Sequence, residues 1–172
     1  MTKTEYRLNA WGSLPIRIAL GVIFIAHGGQ KVFGLWGGPG LPATMRQFHQ
    51  FLGIPAWLAL VVAFVEFFGG IALIVGVFTR LAALGLTVDM VVAVFMVHLR
   101  NGFFMNWTPA QHPNLGHGIE YNVVLIGGGL ALLITGAGKL SIDWLFRCTP
   151  ERATAAAAEP QAAPTRPTET RT

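Results

Sequence analysis

Apolar residues dominate four long stretches of this chain, 14–33, 55–78, 81–99 and 119–137, and polar residues gather between them. A helix needs about 20 mainly apolar residues to cross the hydrocarbon core of a bilayer, and each stretch comes close to that. The stretches are rich in Val and Ile, which suit strands. They are nevertheless too long for strands and show no alternation of apolar and polar positions. Backbone groups in lipid must also find partners inside their own element, which a helix provides. The pattern predicts an all-α integral membrane protein, a bundle of four transmembrane helices within residues 1–148. Residues 149–172 are rich in Ala, Pro and Thr and carry no large apolar side chain. Such a segment cannot bury a core and is expected to be disordered.

The ends of the stretches carry their own signals. Ser13 is placed to cap the first helix, and Pro15 falls in its first turn, where a missing N–H is tolerated. Pro55 plays the same part for the second helix. Thr79-Arg80 is a very short link, so the second and third helices are expected to be antiparallel neighbours. In LPATMRQFHQFL, residues 41–52, Met45, Phe48, Phe51 and Leu52 share one helical side, which predicts a short helix at the membrane surface. Residues 100–118 are rich in Gly, Pro and Asn and read as an irregular loop. Its aromatics predict that it folds back on the bundle. Trp11, Trp36, Trp57, Trp107 and Trp144 all fall at the ends of predicted spans, the headgroup level that Trp prefers.

Composition agrees with the pattern. Hydrophobic residues make up 53% of the 172 residues and charged residues 12%, and the mean hydropathy is +0.55. A soluble domain of this size needs more charge on its surface. The first stretch is too long for a signal peptide, with Arg17 at its start and His27-Gly28-Gly29-Gln30-Lys31 in place of a small-residue cleavage site. Four spans put both termini on one side. Lys3, Arg7, Arg17, Arg80, Lys139, Arg147 and Arg152 flank that side, against Lys31, Arg46 and Arg100 on the other. The bias predicts that both termini are cytoplasmic. Cys148 is the only cysteine, which excludes a dithiol mechanism within the chain.

Ionisable residues inside apolar spans are rare and face a bundle interior or cavity. Glu66, in FVEFFGG, lies about 11 residues from each end of its span, near the midplane at roughly 1.5 Å per residue. His27 and Lys31 share a face of the first helix. His98 lies near the outer end of the third helix and Glu120 at the outer start of the fourth. These five side chains are expected to converge in the outer half of the bundle. Glu66 and His27 are the catalytic candidates, as groups able to exchange protons. Lys31, His98 and Glu120 are the substrate-binding candidates. Asp89, in LTVDMVV, falls on the opposite helical face from His98, and a structural or subunit-contact role is expected for it. Gly70, one turn after Glu66, is expected to let helices pack closely. His49, His112 and His117 fall in loops, with no spacing that fixes a metal site. No phosphate-binding glycine loop is present, and nothing points to nucleic acid.

Taken together, RIALGVIFIAHGGQKVFG, VEFFGGIALIVGVFTRLAALGL, HLRNGFF and GAGKLSIDWLF resemble the DoxX family of small four-helix membrane proteins, over residues 12–146. Matching positions are Arg17, His27, Gly28, Lys31, Glu66, Gly70, Arg80, His98, Gly102 and Asp143. The resemblance implies a multi-pass protein of the bacterial inner membrane, commonly labelled an oxidoreductase or a quinone-linked subunit. No cofactor is expected within the chain itself, so redox chemistry would need a bound quinone or a partner redox subunit. The expected partners are the lipid bilayer and other membrane subunits. The alternatives are a non-enzymatic assembly partner of another membrane protein and, less favoured, a small transporter.

Overall fold

The computed structural model describes residues 11–108 and 116–147. The expectations for His112, for Cys148 and for the 149–172 tail fall outside these residues. Among the described residues six α-helices are formed: α1 (Ser13–Phe33), α2 (Gly40–Leu52), α3 (Ala56–Val75), α4 (Thr79–Ala93), α5 (Glu120–Thr135) and α6 (Ile142–Arg147). Beyond α4 the chain stays helical through a π turn, Val94–His98, and a 3₁₀ turn, Leu99–Asn101. The helical segments Ser13–Phe33, Ala56–Val75 and Thr79–Asn101 are long and apolar enough to span a bilayer. The fourth, α5, is apolar but has 16 residues. At about 1.5 Å per residue it falls short of the roughly 30 Å of hydrocarbon.

Helices α1, α3, α4 and α5 close a ring in which α1 packs on α3, α3 on α4, α4 on α5 and α5 on α1. The core between them holds Leu20, Phe24, Leu73, Ala83, Leu86, Met90, Leu125 and Leu132. Large apolar side chains such as Phe95, Val124 and Ile134 point outward. In water so much exposed apolar surface marks an interaction face or an aggregation hazard. Around a helical bundle of this composition it is the surface that meets lipid. The five tryptophans lie at the two ends of the ring. Trp11 and Trp144 lie at the end where α1 begins, and Trp36, Trp57 and Trp107 at the other.

Glycine sets the closest crossing. A Cβ on Gly28 of α1 would stand 2.7 Å from the Phe67 Cα of α3, and one on Gly70 of α3 would stand 2.8 Å from Gly21 O and Ile25 N of α1. Only hydrogen fits at such positions. The α1–α3 axis is therefore close enough for side chains on the two helices to meet.

Arg17 ties the opposite end. Its side chain is buried, and its guanidinium donates to four carbonyl oxygens. Nε reaches Leu73 O at 2.7 Å, Nη2 reaches Ile74 O at 2.8 Å, and Nη1 reaches Ala137 O at 2.6 Å and Leu140 O at 2.7 Å. The last carbonyls of a helix lack intrahelical partners, and here one arginine gathers those of α3 with those that follow α5. Asp143 of α6 works from the same end. Its Oδ1 and Oδ2 accept from the backbone N–H groups of Phe78 and Thr79 at 2.8 and 2.9 Å, which caps the start of α4.

Three local expectations need correction. Ser13 does not cap α1: the cap position is Gly12, and Ser13 Oγ is buried without a hydrogen-bond partner. The serine already belongs to the helix, a conformation from which its hydroxyl cannot bridge forward to the first N–H groups. The turn between α3 and α4 falls at 76–78, with Gly76 and Phe78 both left-handed, and Thr79-Arg80 already lies in α4. Helix α2 does form, but its apolar residues divide. Phe48 and Leu52 turn toward the bundle, while Phe51 is exposed on the outside.

Candidate functional site

Between α1, α3, α4 and α5, at the end covered by α2, lies a cavity of about 550 Å³. Ligand sites fall in the range of about 300–1,000 Å³ and combine apolar walls with a few convergent polar groups. The apolar wall here includes Phe24, Phe48, Leu52, Val92 and Met96. The polar groups are His27 and Lys31 from α1, Glu66 from α3, Asp89 from α4, His98 from the π turn, and His117, Tyr121 and Asn122 from the last loop and α5.

Glu66 is the eleventh residue of the 20-residue α3 and is only 2% exposed. Both of its oxygens accept from Lys31 Nζ, in a salt bridge across the α1–α3 crossing. The glycines explain the contact. With Gly28 and Gly70 at the crossing, the Lys31 stem reaches from the last turn of α1 to the middle of α3. A carboxylate in so apolar a setting needs a counter-charge, and Lys31 supplies it. His27 lies one turn before Lys31 and feels both charges.

Asp89 also lines the cavity, and its carboxyl lies within hydrogen-bonding reach of Glu66. Its Oδ2 is shut away from solvent and has no hydrogen-bond donor. A uniform helix sets Asp89 and His98 on opposite faces, yet both line this cavity. The π turn is the reason. It adds a residue to one helical turn and so rotates the residues beyond it by about 100°. His98 is then held by a ring N–H that donates to His117 O at 2.9 Å, and Asn101 Nδ2 donates to the same oxygen at 3.1 Å.

Glu120 is not part of the cavity wall. Its Oε2 accepts from Met105 N at 3.0 Å, and its own N–H donates to Phe103 O at 2.8 Å. These bonds fold the 102–105 segment over the start of α5, where Gly118 and Ile119 also donate to Phe104 O and Gly102 O. The positions next to Glu120 reach the cavity instead. Tyr121 lines it, and the buried Asn122 donates to Met90 Sδ at 3.6 Å. Sequence reasoning passed over both, although two polar residues at the start of an apolar span are a readable signal. Among the described residues no group of three or more His, Cys, Asp or Glu side chains is placed to hold a metal ion.

Comparison with known proteins agrees with this architecture. The DoxX family matches residues 12–99, which takes in α1 to α4 and most of the cavity wall. The chain belongs to the DoxX family. Inner membrane protein YqjF of Escherichia coli is 30% identical to this DoxX protein over 145 residues, 81% of this chain and 95% of its own. The Bacillus subtilis protein named Putative oxidoreductase CatD is 27% identical over 132 residues, 77% of this chain and 84% of its own. Membrane protein Rv3486 of Mycobacterium tuberculosis is 31% identical over 153 residues, 83% of this chain and 84% of its own. No solved structure matches. This DoxX chain is a multi-pass inner-membrane protein, distantly related to CatD.

Proposed function

We propose that this DoxX protein is a membrane oxidoreductase subunit whose cavity binds a quinone or a closely related hydrophobic ring. The observation that carries the reading is the Lys31–Glu66 ion pair on the wall of a ligand-sized apolar cavity. Ionisable groups are expensive inside a membrane and are kept there for a task. In this reading Glu66 and His27 handle protons, while Lys31 and His98 orient a ring oxygen. The bound quinone supplies the electron chemistry, and the chain supplies position, proton exchange and exclusion of water. The relationship to CatD supports the same reading, as does the apolar lining that α2 contributes through Phe48 and Leu52. We place both termini in the cytoplasm, on the lysine and arginine bias of the flanks.

The test compares wild type with Glu66→Gln, both purified in mild detergent, by extracting small molecules and quantifying quinone by mass spectrometry. Wild type is expected to retain quinone at near one per chain and the variant to lose it. Absence of quinone from the wild type, in a preparation that keeps its fold, rejects the proposal. The alternative of an assembly partner without chemistry of its own draws on small-residue faces and Asp89 as contacts, and the presence of Asp89 in the cavity lining favours the ligand reading.

A further inference from the structure

We propose that Asp89 is the carboxyl through which this cavity hydrogen-bonds its ligand, with Glu66 exchanging protons behind it, and that it makes the site prefer the hydroquinone over the quinone form. The inference rests on the quinone reading of the cavity and deepens it.

Of the two acids on the wall, Glu66 is fully engaged, because both oxygens accept from Lys31. Asp89 is not, since its Oδ2 is closed to solvent and has no donor. The polar group beside it is the Glu66 carboxyl, within hydrogen-bonding reach. Ionised carboxylates only accept hydrogen bonds, so a bond between two carboxyls needs a proton on one of them. Charge leads to the same place. Lys31 brings one positive charge to two acids, and a second bare carboxylate among apolar residues would lack a counter-ion. The other titratable groups facing the cavity do not change this balance. His27 lies with Lys31 and Glu66, His98 is held on His117 O, and His117 and Tyr121 complete the set. A proton held between Glu66 and Asp89 satisfies Oδ2. It leaves Asp89 Oδ1 as an acceptor on the cavity wall.

An acceptor in an apolar cavity discriminates by hydrogen. A hydroquinone presents O–H groups, one of which donates to Asp89. A quinone presents carbonyl oxygens, which also only accept, so the two oxygens face each other unpaired and the site loses that bond. The shape and apolar surface of the two forms are nearly the same. Their difference in affinity therefore reports the polar contacts to the ring oxygens, and its change on Asp89→Asn reports this one. Tighter binding of the reduced form also makes the bound couple a stronger oxidant than the free one, by mass action.

The test uses the full-length protein in lipid nanodiscs. It is titrated without oxygen with decylubiquinol and, separately, with decylubiquinone, and binding is followed calorimetrically. Wild type is expected to bind the quinol about tenfold more tightly, the size of one hydrogen bond to a carboxyl. Asp89→Asn brings the two affinities to within about twofold, because its amide donates to a carbonyl as readily as it accepts. Asp89→Glu keeps the preference. Equal affinities in wild type overturn the inference, and so does a preference that survives Asp89→Asn. If Asp89→Asn does not fold, the wild-type ratio decides alone. Binding without preference brings down this inference and spares the quinone reading. Failure of both forms to bind brings down both.

Discussion

Arg17 shows how one residue organises an end of the bundle. Its guanidinium holds Leu73 O, Ile74 O, Ala137 O and Leu140 O in a single fork. A buried cation that satisfies orphan carbonyls is a helix terminus completed by a distant residue. Arg17→Met leaves these acceptors without a donor and is expected to destabilise the protein by about 3–5 kcal/mol, the usual range for breaking a buried charged contact. Thermal unfolding in detergent, followed by intrinsic fluorescence, measures this. Arg17→Lys is expected to recover only part of the loss, since an ammonium cannot reach four carbonyls with a planar fork. Full recovery with lysine would show that charge alone, and not the fork, holds this end together. Sequence reading placed Arg17 among the flanking charges and the positions that match the family, and gave it no partner. Its partners lie up to 123 residues away, and no local pattern announces them.

At the scale of elements, the site depends on how closely two helices cross. Gly70 of α3 was expected to let helices pack closely, and the structure adds Gly28 of α1 as its counterpart at the crossing. Gly28→Ala drives a methyl group into the Phe67 backbone. It is expected to destabilise by about 1–3 kcal/mol, as overpacking does, and, under the proposed quinone reading, to lower quinone retention by parting Lys31 from Glu66. Gly127 of α5 is the internal control, since a Cβ there meets nothing within 4 Å. Gly127→Ala is expected to stabilise by up to about 1 kcal/mol through helix propensity. Melting curves and bound-quinone content for the two variants side by side decide the matter, and a destabilising Gly127→Ala would count against this packing. The π turn is the second element-level device. Its presence moves His98 onto the cavity wall, where uniform helical spacing from Asp89 put it on the far side. A shift of one hydrogen-bond register leaves no mark in hydropathy, because VFMVH reads as an ordinary apolar helix.

For the whole molecule, the surrounding solvent sets the design. Outward faces are apolar, polar groups turn into a cavity, and tryptophans mark both ends. Orientation follows from charge, and the chain carries its own probe, because Cys148 is its only cysteine. With both termini cytoplasmic, as proposed, a membrane-impermeant maleimide is expected to leave Cys148 unlabelled in intact spheroplasts and to label it in inverted vesicles. Labelling in spheroplasts would reverse the assignment.

What the amino-acid order determined by itself was the class of solvent and the kind of element. Hydrophobic length, the absence of alternation and the tryptophan positions are properties of neighbouring residues, and they specify apolar helices with about the right bounds. They also single out Glu66, His27, Lys31 and Asp89 as side chains too polar for lipid. What only the tertiary structure decided was who meets whom. It joined Lys31 to Glu66, set Asp89 beside that pair and turned His98 inward. It turned the Glu120 side chain to the loop that closes over α5, and brought Tyr121 and Asn122 to the wall in its place. Those outcomes depend on helix rotation, crossing distance and a change of helical register. Each is fixed by packing among residues far apart in the chain, and so by energies that no single segment contains.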